Sequence, residues 1–170
     1  MKKNSGFSLV ELLVVLSIIG VLSSFITPKF MTYSAKSKET KAIATLEALR
    51  TASEFYYLEN GESFLKNDGR GKMTKQQLYR LQRFLSNNAS KLIKDNKVVV
   101  EIGGSRKQEG GIIKYGGEIG FTTAKPEESS SFENGVSIWF DDTDVGKFNM
   151  NNDKWVDLWL QFILIYFFTF

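Results

Sequence analysis

Residues 7–27 read FSLVELLVVLSIIGVLSSFIT, an apolar run interrupted by one charge, Glu11. At about 1.5 Å per residue, a helix of that length matches the roughly 30 Å hydrocarbon core of a bilayer. A chain carrying such a run must place it in lipid or against other apolar surface, so an ordinary water-soluble domain is not its whole structure. Ahead of the run sits a short basic leader, Met1-Lys2-Lys3-Asn4-Ser5-Gly6. Secretory signal peptides begin similarly, but their apolar region is shorter, uncharged and followed by small residues of the A-x-A kind. Here Leu22-Ser23-Ser24 is the nearest match to such a site, and Glu11 breaks the apolar core. A plain transmembrane anchor is the other simple reading.

Glu11 is the most informative residue of the run. A carboxylate deep in a bilayer costs on the order of 3 kcal/mol or more, so an intramembrane acid usually has a partner or a function. Taken alone, Glu11 is explained by its place near the helix start, where it complements the N-terminal dipole and reaches back toward the interface. Taken with its neighbours, it forms a pattern. Gly6-Phe7-Ser8-Leu9-Val10-Glu11 resembles the processing site of type IV pilins and type II secretion pseudopilins, and the likeness extends through Gly20, Pro28 and Tyr33.

The resemblance implies that a prepilin peptidase cuts between Gly6 and Phe7 and that Phe7 becomes the N-methylated terminus. It also implies that Glu11, then the fifth residue of the mature chain, is the assembly carboxylate. The chemistry is coherent. Cleavage creates a cationic amine at Phe7 among apolar helices, where an unpaired charge is expensive and a carboxylate from an adjacent subunit neutralises it. Glycine at position 6 lets a peptidase approach the scissile backbone closely. Flanking charge does not set orientation, because Lys2 and Lys3 precede the run while Lys29, Lys36, Lys38 and Lys41 follow it. The resemblance places the leader in the cytoplasm. It implies a single-pass inner-membrane precursor with an extracytoplasmic C-terminal head, then an extracytoplasmic filament.

Pro28 removes one helical hydrogen bond and disfavours helical geometry at Thr27, so a kink or local melt is expected there. Beyond it Ala42, Leu46, Leu49 and Tyr56, with Ile43 and Ala52 beside them, keep spacings of three and four that mark one helical face. Lys36, Lys38, Glu39, Lys41, Glu47 and Arg50 are left mostly for the outer surface. Asn60-Gly61 is a stop signal, so the first helix is predicted over residues 8–59.

Thr74 and Gln77 have capping-box spacing and open a second predicted helix over residues 74–94, with Leu78, Leu81 and Leu85 on its apolar stripe and Asn87-Asn88 as a potential break. From Lys97 the period changes. Short runs at 98–102, 112–115, 119–123 and 136–140 are rich in β-branched or aromatic residues, several separated by glycine pairs, and predict an antiparallel meander. The expected fold class is α+β, a pilin-like lollipop with a long N-terminal helix packed on a small antiparallel β-sheet head. Its parts are a cleaved leader (1–6), a transmembrane and filament-core helix (7–28), an amphipathic half (29–60) and a globular head (61–170).

The chain has no His and no Cys. That removes an imidazole base, a thiolate nucleophile, His/Cys zinc sites and disulfides, and no spacing suggests a carboxylate-pair or Ser–Lys enzyme. The expectation is a structural subunit of a type IV pilus-like or type II secretion pseudopilus filament, with no catalysis of its own. Its implied partners are homologous subunits, the peptidase, the assembly-platform membrane proteins and, before assembly, membrane lipid.

Charge adds two further readings. Residues 66–97 hold nine basic residues against two acids, whereas residues 126–157 hold eight acids against Lys147 and Lys154. The default is a solvated surface. The competing readings are opposite faces that meet between subunits, and a basic stretch that binds DNA, as in a DNA-binding minor pilin of an uptake system. Asp141, Asp142, Asp144, Asn149 and Asp153 surround a glycine turn with hard oxygen ligands of the kind calcium favours. Their spacing does not fit an EF-hand, and a plain Asp/Asn-rich turn is the simpler expectation. Residues 158–170 are almost wholly apolar and are expected either to form a final buried strand or to be a truncated or frameshifted end.

Overall fold

A computed structural model describes residues 7–66, 68–85, 89–106, 113–124, 138–141 and 149–150. The chain divides into two compact units, Met1–Ser34 and Ala35–Phe170. Helix α1 (Leu9–Asn60) contributes residues to both.

In the first unit the large apolar side chains from Phe7 to Tyr33 are exposed. Among the described residues α1 is the one helix long and apolar enough to cross a membrane. The backbone stays helical through Pro28 rather than melting. Hydroxyls around the proline bond back to preceding turns, Thr27 to Ser23 O at 2.8 Å and Thr32 to Pro28 O at 3.1 Å. Such back-bonding satisfies side-chain donors in an apolar stretch without leaving the helix.

The second unit begins with the other half of α1. Its buried residues are Ala35, Glu39, Ala42, Leu46, Leu49, Ala52, Ser53 and Tyr56, nearly all at spacings of three and four. Of these, Ala42, Leu46, Leu49, Ala52 and Tyr56 pack into a core with Phe64, Leu78, Leu81, Val100, Ile119 and Phe121 among others. Glu39 and Arg50 correct the sequence reading, which assigned both to the outer face. Glu39 is 3% exposed and accepts a hydrogen bond from the Met150 N–H at 2.6 Å. Arg50 is partly buried, and its Nε donates to Ile138 O at 2.8 Å. The helix ends as expected. Gly61 takes φ +68°, its N–H donates to Tyr57 O at 2.8 Å, and this left-handed cap needs a residue without Cβ strain.

Helix α2 (Lys75–Leu81) is much shorter than the predicted segment. Its capping box is present, with Thr74 N donating to Gln77 Oε1 at 2.9 Å and Gln77 N to Thr74 Oγ1 at 3.3 Å. A 3₁₀ turn over Gln82–Phe84 follows, and Leu85 is already extended. A second 3₁₀ turn spans Ala89–Leu92, and a hairpin follows it. Strands β1 (Ile93–Lys94) and β2 (Lys97–Glu101) pair antiparallel across Asp95-Asn96. Those two residues have φ of 48° and 64°, the signature of a type I′ turn whose twist suits adjoining strands. Residues 93–94 are therefore strand, not helix, because a tight turn offers them backbone partners.

Strands β3 (Gly104–Arg106) and β4 (Ile113–Tyr115) form a two-stranded ribbon. Strands β5 (Glu118–Thr122) and β6 (Trp139–Asp141) complete a four-stranded antiparallel sheet in the order β1-β2-β5-β6. The inner face carries Val100 opposite Ile119 and Phe121 opposite Phe140, all within the core. The expected meander is thus present, split into a sheet and a ribbon, with β1 and β3 additional to the prediction. At its Lys97–Thr122 end the sheet splits. Segment 71–74 enters the gap, Thr74 bridging Lys97 and Lys72 bridging Thr122, with Met73 N donating to Phe121 O at 2.7 Å. The predicted apolar strand at the chain end lies outside the described residues.

Candidate processing and assembly site

Phe7 precedes α1 and is 82% exposed. Ser8 stands at the N-cap. Its backbone N–H donates to Glu11 Oε2 at 2.9 Å, and its hydroxyl oxygen lies 3.4 Å from Val10 N. Ser8 and Glu11 thus share the S-x-x-E spacing of a capping box, and the Glu11 arm is formed. Glu11 also sits in the first turn, where its charge complements the helix dipole. The sequence reading anticipated the dipole role but missed Ser8, although the spacing is visible. Phe7 and Glu11 are therefore held one turn apart at the start of the apolar run. Gly6 lies outside the described residues.

The start of the chain also matches a known pattern. Residues 1–27 match the family model described as the prokaryotic N-terminal methylation motif. The match ends within the apolar run, at Thr27. Similar proteins include a fimbrial protein of Pseudomonas aeruginosa, 40% identical over 62 residues that cover 36% of this chain and 40% of that protein. The type II secretion system core protein G of Vibrio cholerae is 38% identical over 60 residues, covering 35% of this chain and 41% of its own length. The type IV major pilin protein PilA of Myxococcus xanthus is 40% identical over 57 residues, covering 34% of this chain and 26% of that protein. The chain thus spans about two fifths or less of the length of these relatives. No solved structure matches it.

Outside the matched segment, ion pairs alter the meaning of the basic stretch. Lys66 pairs with Glu62, Lys72 with Asp141, Arg80 with Asp68, Arg83 with Glu59 and Lys94 with Glu118. Five of the nine basic residues therefore face a carboxylate. Arg70, Lys75, Lys91 and Lys97 do not, among the described residues. The hydrogen bonds to Glu62 and Glu118 hold the Lys66 and Lys94 ammonium groups above the ordinary lysine range. Burial, opposed by the charge of Glu47, lowers the Arg50 guanidinium.

Of the candidate calcium ligands, Asp141 and Asn149 are described, and both are buried. Asp141 Oδ2 lies 3.1 Å from Lys72 Nζ, so an ammonium already balances its charge. Asp142, Asp144 and Asp153 lie outside the described residues, among which no group of three acidic side chains converges.

Proposed function

We propose that this chain is a subunit of a pilus or pseudopilus filament, anchored in the membrane by residues 7–28 before assembly. The observation that carries the reading is the exposed apolar helix opening on a matched methylation motif. A prepilin peptidase cuts after Gly6 and methylates Phe7. The amine so formed lies beside Ser8, whose N–H already engages Glu11. In the free subunit Glu11 caps its own helix, and in the filament it neutralises the Phe7 amine of a neighbour. Exchange of one partner for another keeps the carboxylate from being buried unpaired. The chain performs no catalysis, and homologous subunits and the membrane assembly platform are its partners.

The test is assembly of a Glu11→Ala variant in the native host, followed by shearing of surface or periplasmic filaments. Retention in the membrane fraction, with leader removal intact, is the expected result. Wild-type incorporation of Glu11→Ala would contradict the assigned role. Calcium held by Asp141, Asp142, Asp144, Asn149 and Asp153 is a separate proposal resting on residue chemistry. A melting temperature that rises with calcium and falls with chelator supports it, and an unchanged one removes it. DNA binding draws on Arg70, Lys75, Lys91 and Lys97, and salt-sensitive retention of the chain on DNA tests it.

A further inference from the structure

A cleft of about 630 Å³ opens where segment 71–74 splits the sheet, a volume within the range of specific binding sites. Its floor comes from one row of the sheet, Val99 opposite Gly120 and Gly120 opposite Asp141. Gly120 contributes no side chain, which leaves the floor open. Lys72, Lys75, Lys97 and Tyr79 stand around it. Lys72 is paired with Asp141. Lys75 lies over the Tyr79 ring at 5.6 Å, which restrains it, and the main chain of Lys97 is fixed by its bridge to Thr74. Neither Lys75 nor Lys97 has an ion-pair partner among the described residues, so the described lining of the cleft is net positive, three lysines against Asp141.

We propose that this cleft receives a carboxylate-rich segment from a second copy of the chain. Two ammonium groups in a bounded cleft suit two carboxylates. Nucleic-acid affinity instead grows with the number of phosphates neutralised along a track, and the ion pairs that engage five neighbouring basic residues shorten any such track. The same sequence holds an acid-rich stretch, since residues 126–157 carry seven acids besides Asp141 against two lysines. Gln76 and Asn96 also line the cleft, and side-chain amides can hydrogen-bond an incoming backbone. The second copy follows from the filament reading. The cleft lies far in sequence from the processing motif, so the two proposals fail separately: leader removal does not depend on Lys75 or Lys97.

The test is fluorescence anisotropy of a labelled peptide spanning residues 125–135 (KPEESSSFENG), titrated with the full chain in detergent micelles. Saturable binding that weakens with added salt is expected, and Lys75→Glu with Lys97→Glu weakens it by about tenfold or more. Lys75→Arg with Lys97→Arg, which keeps both charges, retains it. Far-UV circular dichroism confirms that the variants fold. Absence of peptide binding overturns the proposal, as does binding indifferent to the double charge reversal. Preferential binding of a duplex oligonucleotide through the same lysines overturns it in favour of a nucleic-acid site.

Discussion

A methyl group placed on Gly103 would lie 2.0 Å from the carbonyl oxygen of Ala35. The loop after β2 therefore rests directly on the backbone of α1, at the first residue of the second unit. Neighbouring hydrogen bonds hold it there, from Gly116 N to Gly103 O at 2.7 Å and from Ile102 N to Gly117 O at 3.0 Å. The obstacle is main chain, which cannot swing aside as a flexible side chain would. Gly103→Ala is expected to destabilise the fold by about 1–3 kcal/mol or more. Urea unfolding checks this, and a midpoint equal to wild type would refute the contact.

Glu39 supplies a second expectation. Its carboxylate accepts from Met150 N–H inside the core, and removing it leaves a buried donor without that acceptor. Glu39→Ala should cost about 1–3 kcal/mol. Glu39→Gln should cost less, because an amide oxygen can still accept. If the two variants unfold alike, the hydrogen bond is not what retains an acid on the apolar stripe.

The β1–β2 turn provides a change in the opposite direction. Asn96 is held at φ 64°, a region glycine enters without steric cost. Asn96→Gly gives the Asp-Gly pair favoured in type I′ turns and is expected to leave stability equal or slightly raised. Asn96→Val forces a β-branched residue into that region and should destabilise the protein by about 1–3 kcal/mol. Thermal melts of the two variants should move in different directions or by clearly different amounts.

A pH effect follows from Lys94. Its hydrogen bond and charge interaction with Glu118 raise its pKa in the folded protein. A raised folded value means the contribution is complete below the ordinary lysine range and disappears as pH rises through the folded value. Unfolding midpoints of wild type and Lys94→Met should therefore differ most at neutral pH and converge in strong alkali. Because the pair is solvent-exposed, the difference should be small and should shrink with salt. A gap that widens with alkali would reverse the sign of this assignment.

Elements set by local spacing were legible in the sequence. The stripe at Ala42, Leu46, Leu49 and Tyr56, the Gly61 stop and the Thr74–Gln77 box each depend on residues within a turn or two of one another. The Asp95-Asn96 turn was equally local, but the apolar stripe at Leu78, Leu81 and Leu85 suggested a helix running past it. Glu39 was misplaced for a different reason, since the group that makes its burial tolerable lies far along the chain at Met150. The same holds for the basic stretch. Lys72 and Lys94 find Asp141 and Glu118 on other strands, so charge counted along the sequence overstated the charge left on the surface. At the N-terminus the motif itself was readable, whereas the equally local Ser8–Glu11 spacing that caps the helix was missed.

The central claim rests on what happens between Gly6 and Phe7. Intact mass of the protein after co-expression with a prepilin peptidase measures it directly. The account predicts loss of residues 1–6 and addition of one methyl group at Phe7. An uncut chain in the presence of a competent peptidase would contradict it and leave residues 7–28 as an ordinary membrane anchor, and cleavage near Ser24 would contradict it by removing Glu11 from the mature protein.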